Sequence, residues 1–238
     1  MHSTRRTAAT TGVLFITATL ANVVGSGLSK SLTTGPDYFD RLLAHANQVT
    51  AGTILEVVAA GACAGIAISL YPVLEKVNGG LALGSVVFRT LEAVMYLIAA
   101  GALLSLLPVS QRFVEAGTAD RPALQAVGDS LLSFREQVTL LGVLAFSLGA
   151  LMYYAVFYQS RLIPRLLSGW GIVGVVLAII ACLIAMFSRN PLLTYTPFML
   201  PIAVQEMVLA LWLIARGFTS SAVQSGTRST IVHTAAAA

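Results

Sequence analysis

Six apolar stretches, each about 20 residues long and parted by polar segments of unequal length, constrain this chain more than any other feature. They run Thr7–Leu28, Val49–Leu70, Leu81–Leu107, Val138–Tyr158, Trp170–Phe187 and Phe198–Ile214. A hydrocarbon core about 30 Å thick is crossed by roughly 20 helical residues at about 1.5 Å each. Lipid offers the backbone no hydrogen bonds, so a spanning segment must satisfy its own as a helix. Of the 238 residues 57% are hydrophobic and only 10% are charged, whereas soluble domains are about 25% charged. A water-soluble globule and a disordered chain are both excluded. The expected fold is all-α: a polytopic membrane protein, a bundle of six transmembrane helices with short amphipathic helices in the outer loops. Residues 1–218 read as one membrane domain, and 219–238, rich in Ser, Thr and Ala, as a disordered tail.

The first stretch follows Arg5 and Arg6, as the core of a signal peptide would. No Ala-x-Ala site stands directly at its end and its length suits a full crossing, so it reads as a retained helix. Lys and Arg number 14 against 10 Asp and Glu, a net charge of +4. They sit singly or in pairs at segment ends rather than in a patch, which points away from nucleic acid and toward membrane orientation. Arg5, Arg6, Lys76, Arg161, Arg165, Arg216 and Arg228 fall on one side, mostly in short segments. Lys30, Arg41, Arg112, Arg121, Arg135 and Arg189 fall on the other, three of them in one long loop. Short loops weigh more, so both termini are expected on the cytoplasmic side of the membrane.

Two outer segments are long enough for structure of their own. Pro36 to Leu43 reads as a short interfacial helix. In 109–137, Asp120-Arg121-Pro122 is a helix start, and Leu124, Val127, Leu131 and Phe134 then recur at helical spacing. That is an amphipathic surface helix leading into the fourth span.

Four ionisable side chains lie inside the spans: Glu56, Arg89, Glu92 and Glu206. Such residues are costly, face the protein interior and have partners. Counting rises of about 1.5 Å places the three carboxyls in one layer of the outer half, with Arg135 and Glu136 at the outer mouth of the fourth span. Ser85, Arg89, Glu92 and Tyr96, spaced four, three and four, form one polar stripe that must face the bundle. Arg89 can pair with Glu92 on its own helix and reach Glu56 or Glu206 with its other edge. Three carboxyls against one arginine do not balance. Either a carboxyl is protonated, or Arg135 tilts in, or a cation or water fills the site. Gly52, Ala59, Ala60, Cys63 and Ala67 give the second span a smooth face, expected to pack on the third.

The remaining residues read plainly. Cys63 and Cys182 lack CxxC spacing and read as packing residues. His45 reads as interfacial, and Tyr153, Tyr154, Tyr158 and Trp170 as an aromatic belt. No metal-ligand spacing, P-loop, Gly-x-Gly-x-x-Gly, Gly-x-Ser-x-Gly or His-Glu-x-x-His occurs. No cofactor is expected on that basis, and an enzyme is the less favoured of the functional readings.

Several phrases together resemble a known group. They are Arg6-Thr7-Ala8 with Gly12-Val13-Leu14-Phe15, Asn47-Gln48-Val49 with Leu55-Glu56, and Ala82-Leu83-Gly84 with Arg89-Thr90-Leu91-Glu92. Arg161-Leu162-Ile163-Pro164-Arg165 before Leu167-Ser168-Gly169-Trp170-Gly171, and Leu200-Pro201-Ile202 before Glu206 and Trp212-Leu213-Ile214, complete the set. Over about Arg5 to Phe218 the chain resembles the bacterial multi-pass membrane proteins grouped as domain of unknown function 4386. The resemblance implies a six-helix integral membrane protein and supplies no catalytic residue.

Three functions fit the sequence. In the first, Glu56, Arg89, Glu92, Tyr96, Glu206 and Arg135 form a site for a small ligand or a proton in a binding or transport protein. In the second, the same cluster is a helix-packing clasp in a structural or regulatory protein. In the third, the carboxyls serve an intramembrane enzyme acting on lipid. The bilayer is the expected partner in all three, and a homo-oligomer is compatible with each.

Overall fold

The computed structural model describes residues 2–219; the tail expected to be disordered lies, apart from Thr219, outside the described residues. The described chain is helical and holds no strand. Its helices are α1 (His2–Lys30), α2 (Tyr38–Ala44), α3 (Ala46–Glu115), α4 (Arg121–Ser160), α5 (Arg165–Ser188), a 3₁₀ turn at Leu192–Tyr195, and α6 (Thr196–Ala215). Five of them, α1 and α3 to α6, are long and apolar enough to cross a bilayer.

The largest departure from the sequence reading is α3. At 70 residues it would extend ~105 Å if straight, more than three membrane thicknesses. It is interrupted at one residue, Asn78, whose backbone is extended (φ −154°, ψ 99°). The Asn78 Oδ1 accepts a hydrogen bond from the Leu81 N–H at 3.0 Å. Asn78 is therefore the N-cap of the second arm, satisfying one of the donors a helix start leaves open. Pro72 and Pro108 follow the second and third apolar stretches, where a proline commonly stops a helix, yet helix continues past both. Proline removes one backbone donor each time, and the rest of the ladder carries the helix on. Asn78 supplies the turn instead of a loop at Tyr71-Pro72.

The amphipathic segment and the fourth span are likewise one uninterrupted helix, α4. No proline lies inside it beyond Pro122 in its first turn, so nothing forces a joint.

The described residues form two compact units. Within the described residues, unit 1 draws on 2–16, 62–92 and 143–219, and unit 2 on Thr17–Gly61 and Ala93–Gly142.

In unit 1 the fully buried side chains include Phe15, Ile66, Leu70, Leu74, Tyr153, Tyr154 and Phe157. The two arms of α3 run back alongside each other here: Cys63, before Asn78, lies against Glu92, after it. α5 and α6 meet where a Cβ on Gly174 would come within 3.0 Å of the Ile202 backbone. α6 ends at Gly217, whose φ of +73° favours glycine. Its N–H reaches back to the Trp212 and Leu213 carbonyls.

In unit 2 a core of Leu32, Tyr38, Phe39, Leu42, Val49, Leu103 and Leu106 seats α2 against both arms of α3. The Phe39 and Phe113 rings stack at 4.4 Å. The Tyr38 hydroxyl donates to Asp129 Oδ1 at 3.0 Å. Burial first, and then the Asp129 carboxylate, push this hydroxyl well above its ordinary value, so Tyr38 acts only as a donor. Gly25 of α1 and Gly52 of α3 form a reciprocal contact: a Cβ on either would lie 2.7 or 2.8 Å from the other's carbonyl oxygen. In unit 1, Gly65 faces the Leu14 side chain. These glycines of the second span's smooth face thus meet α1, not the third span. Gly25 of α1 supplies the small partner that lets the two backbones approach.

Two substitutions separate cap from contact. Asn78→Ala should lower unfolding stability by about 1 kcal/mol, the worth of an N-cap. Gly52→Ala should cost about 1–3 kcal/mol, because the methyl has no space. Thermal unfolding of the detergent-solubilised protein measures both.

Candidate functional site

The buried charge falls into two groups, one in each unit. In unit 1, α3 carries Arg89 and Glu92 one turn apart on its inward face, each 2% exposed. Arg89 Nη1 and Glu92 Oε2 are 2.9 Å apart. The guanidinium carbon lies 4.9 Å from the centre of the Phe146 ring of α4, an attractive cation–π arrangement. Gly149 permits this closeness, since a Cβ there would sit 3.1 Å from the Arg89 Cγ. Arg89 Nε is buried and has no acceptor among the described residues.

The rest of the group comes from α4 and α6. Tyr153, fully buried, donates its hydroxyl proton to Glu206 Oε1 at 3.2 Å. Tyr154, also fully buried, donates to Gln205 Oε1. The Gln205 amide donates in turn to the Leu167 carbonyl at 2.9 Å, joining α4, α6 and α5. Gly171 makes room for the Tyr154 ring, whose atoms would lie 2.5 Å from a Cβ at that position. Glu92, Cys63, Tyr153 and Glu206 all act electrostatically on Arg89. Glu206 itself is half-buried and has no ion-pair partner among the described residues. Two carboxyls, one guanidinium, two phenols and a thiol therefore share one apolar enclosure. The carboxyls of this set outnumber its guanidinium by one.

The group in unit 2 has a different design. Glu56 Oε1 accepts a hydrogen bond from Arg135 Nη2 at 2.6 Å, and Arg135 Nη1 donates to the Ala99 carbonyl at 2.8 Å. Glu56 and Ala99 stand on opposite sides of Asn78, so one guanidinium of α4 fastens both arms of α3. The pair is charge-balanced, and Arg135 keeps 20% of its side chain exposed. Tyr96 is half-buried, its ring against Gly142, where a Cβ would come within 2.6 Å of it.

Of the six residues singled out from sequence, Arg89, Glu92 and Glu206 share the first group. Glu56 and Arg135 form the second, with Arg135 rather than Arg89 as partner of Glu56. Tyr153 and Tyr154 were assigned to an aromatic belt; the structure buries both and makes them donors to α6. The signal was the periodicity of α4: Ser147, Ala150, Tyr153, Tyr154 and Phe157 recur at three to four residues and are all buried. Tyr158 and Trp170 remain exposed, as a belt requires. Cys63 was read as a packing residue, and it does pack, but against a carboxyl.

A family model described as domain of unknown function DUF4386 matches residues 10–217. The chain belongs to the DUF4386 family. No curated protein and no solved structure matches it. The matched stretch of this DUF4386 chain contains every residue of both groups. The description assigns the family no activity, so the chemistry of a DUF4386 site has to come from its geometry. Among the described residues no group of three or more His, Cys, Asp and Glu is placed to hold a metal ion.

Removing one member of the Glu56–Arg135 pair strands the other. Arg135→Gln should therefore destabilise the protein by about 3 kcal/mol, the low end for a buried pair because of the arginine's partial exposure. Glu56→Gln in the Arg135→Gln background should cost little more. A double-mutant cycle on thermal unfolding measures the coupling.

Proposed function

We propose that this is an integral membrane protein of six crossings that binds a small ligand in a proton-coupled manner, with Arg89, Glu92 and Glu206 as its site. The observation that carries the reading is the spacing of Arg89 and Glu92. The ion pair is made within one helix, and what α4 gives Arg89 is a ring face rather than a second counter-charge. Next to it Glu206 adds a carboxyl with no cation of its own, and Tyr153 supplies that carboxyl with a donor. A proton, or the positive group of a ligand, completes the charge. Tyr154 and Gln205 hold α4 and α6 in register around it.

The crossing number rests on parity. Arg5, near the start of α1, donates to the Ile214 and Ala215 carbonyls at the end of α6, at 2.8 and 3.1 Å. That contact supports an even number of crossings, with the two ends of the membrane domain, residues 1–218, at one face. The break at Asn78 divides α3 into two, raising five apolar helices to six spans. Arginine-rich short segments favour the cytoplasm of a bacterial inner membrane for that face.

The clasp reading keeps its own domain of application. Glu56, Arg135 and the Ala99 carbonyl join two helices and balance their charge, as a register-fixing contact does.

Infrared difference spectroscopy on the reconstituted protein, titrated from acid to neutral pH, tests the site. A carboxyl band should respond to pH and vanish in Glu206→Gln, while Glu92→Gln should shift it. Proton uptake by liposomes containing the protein, followed with an internal pH dye, should fall in both variants with folding intact. If neither variant alters the band or the uptake, Arg89 and Glu92 are structural.

A further inference from the structure

The residues that close unit 1 at its terminal face also build a charged surface. Arg5 caps the carbonyls at the end of α6. Just beyond, the Phe218 ring lies 6.2 Å from Phe157 of α4, and the Thr219 N–H donates to the Leu162 carbonyl at 2.9 Å. These contacts bring the start of α1, the end of α4, the start of α5 and the end of α6 to one place. Those four segments carry Arg5, Arg6, Arg161, Arg165 and Arg216, all exposed. Residues 1–12, 153–176 and 207–219 contain no Asp or Glu. None of the five arginines belongs to an ion pair among the described residues. Thr11, also near the start of α1, meets Ser69 at 2.7 Å, so the turn of α3 lies toward this end too. The turn brings Glu75 and Lys76, which offset one another.

Two of the arginines are aimed by aromatic rings. Arg165 lies over Tyr158 at 5.4 Å and Arg216 over Trp212 at 5.8 Å from the ring centres. Tyr158 and Trp170 are exposed beside them. Amphipathic rings settle at headgroup depth, where one side is apolar and the other wet. A guanidinium held at that depth meets lipid phosphate, and its planar fork matches two phosphate oxygens.

We infer that this face is a docking surface for the phosphate headgroups of anionic phospholipids. The charge decides the class of lipid: a zwitterionic headgroup would leave the positive excess of the surface uncompensated, and an anionic one removes it. The same surface fixes the face of the membrane, because basic residues are drawn to the anionic cytoplasmic leaflet. The inference is independent of the Arg89–Glu92–Glu206 site.

The test uses the full chain purified in a neutral detergent. Thermal unfolding is followed with added phosphatidylglycerol, with phosphatidylcholine and with inorganic phosphate, and native mass spectrometry counts bound lipid. Phosphatidylglycerol should raise the unfolding temperature by several degrees over phosphatidylcholine and should be the lipid retained in the gas phase. In the triple variant Arg161→Gln, Arg165→Gln, Arg216→Gln that preference should fall by about a hundredfold, roughly fivefold per charge. Its unfolding temperature in phosphatidylcholine should equal that of the unaltered protein. The variant with lysine at the same three positions should keep most of the preference. Equal retention of the two lipids by the unaltered protein, or a preference that survives the triple glutamine variant, overturns the inference. A stabilisation reproduced by inorganic phosphate alone overturns the lipid as its source and leaves a soluble anion site.

Discussion

Hydrocarbon forms no hydrogen bonds, and every polar feature of this molecule is shaped by that. Four buried hydroxyls satisfy themselves within their own helices: Thr53 donates to the Val49 carbonyl, Ser85 to Ala82, Ser110 to Leu106 and Ser147 to Val143. They cost the fold little and ask nothing of a neighbour. Charged groups cannot be settled so locally. Arg135 spends its two terminal nitrogens on a carboxylate and a backbone oxygen. Arg89 takes a carboxylate from its own helix and a ring face from another. The aromatic and small residues around these groups are placed by the same need, since a guanidinium is tolerable only where its surroundings are packed and polar at the correct atoms.

The helical fold was readable because the controlling periodicity is coarse. A run of about 20 apolar residues has one structural solution in a bilayer. Where runs join was harder to read. Pro72 and Pro108 look like stops, yet a single missing donor does not terminate a long helix; Asn78 ends one by offering its side chain to the next. Helix partners were harder still. The smooth face around Gly52 declared that some backbone comes close, but only the matching height of Gly25 selects α1, and matching heights depend on tilt.

The charged stripe on the third span was legible for a related reason. Arg89 and Glu92 belong together through spacing on one helix, which sequence gives directly. Glu56 and Arg135 are 79 residues apart, and no local pattern links them. Tyr153 and Tyr154 were misread because tyrosine near the end of a span usually marks the interface. The three-to-four-residue repeat of buried positions on α4 outweighs that tendency, and it places both hydroxyls on α6.

The bond from Arg5 to the last turn of α6 spans 209 residues. The two partners are made far apart in translation, so α1 enters the bilayer before the carbonyls that Arg5 will cap exist, and water serves the exposed guanidinium meanwhile. Only when α6 has been threaded can that guanidinium find its acceptors. Assembly of unit 1 is thus completed by its final helix, and a chain released before Ala215 lacks the clamp that joins the beginning of the molecule to its end.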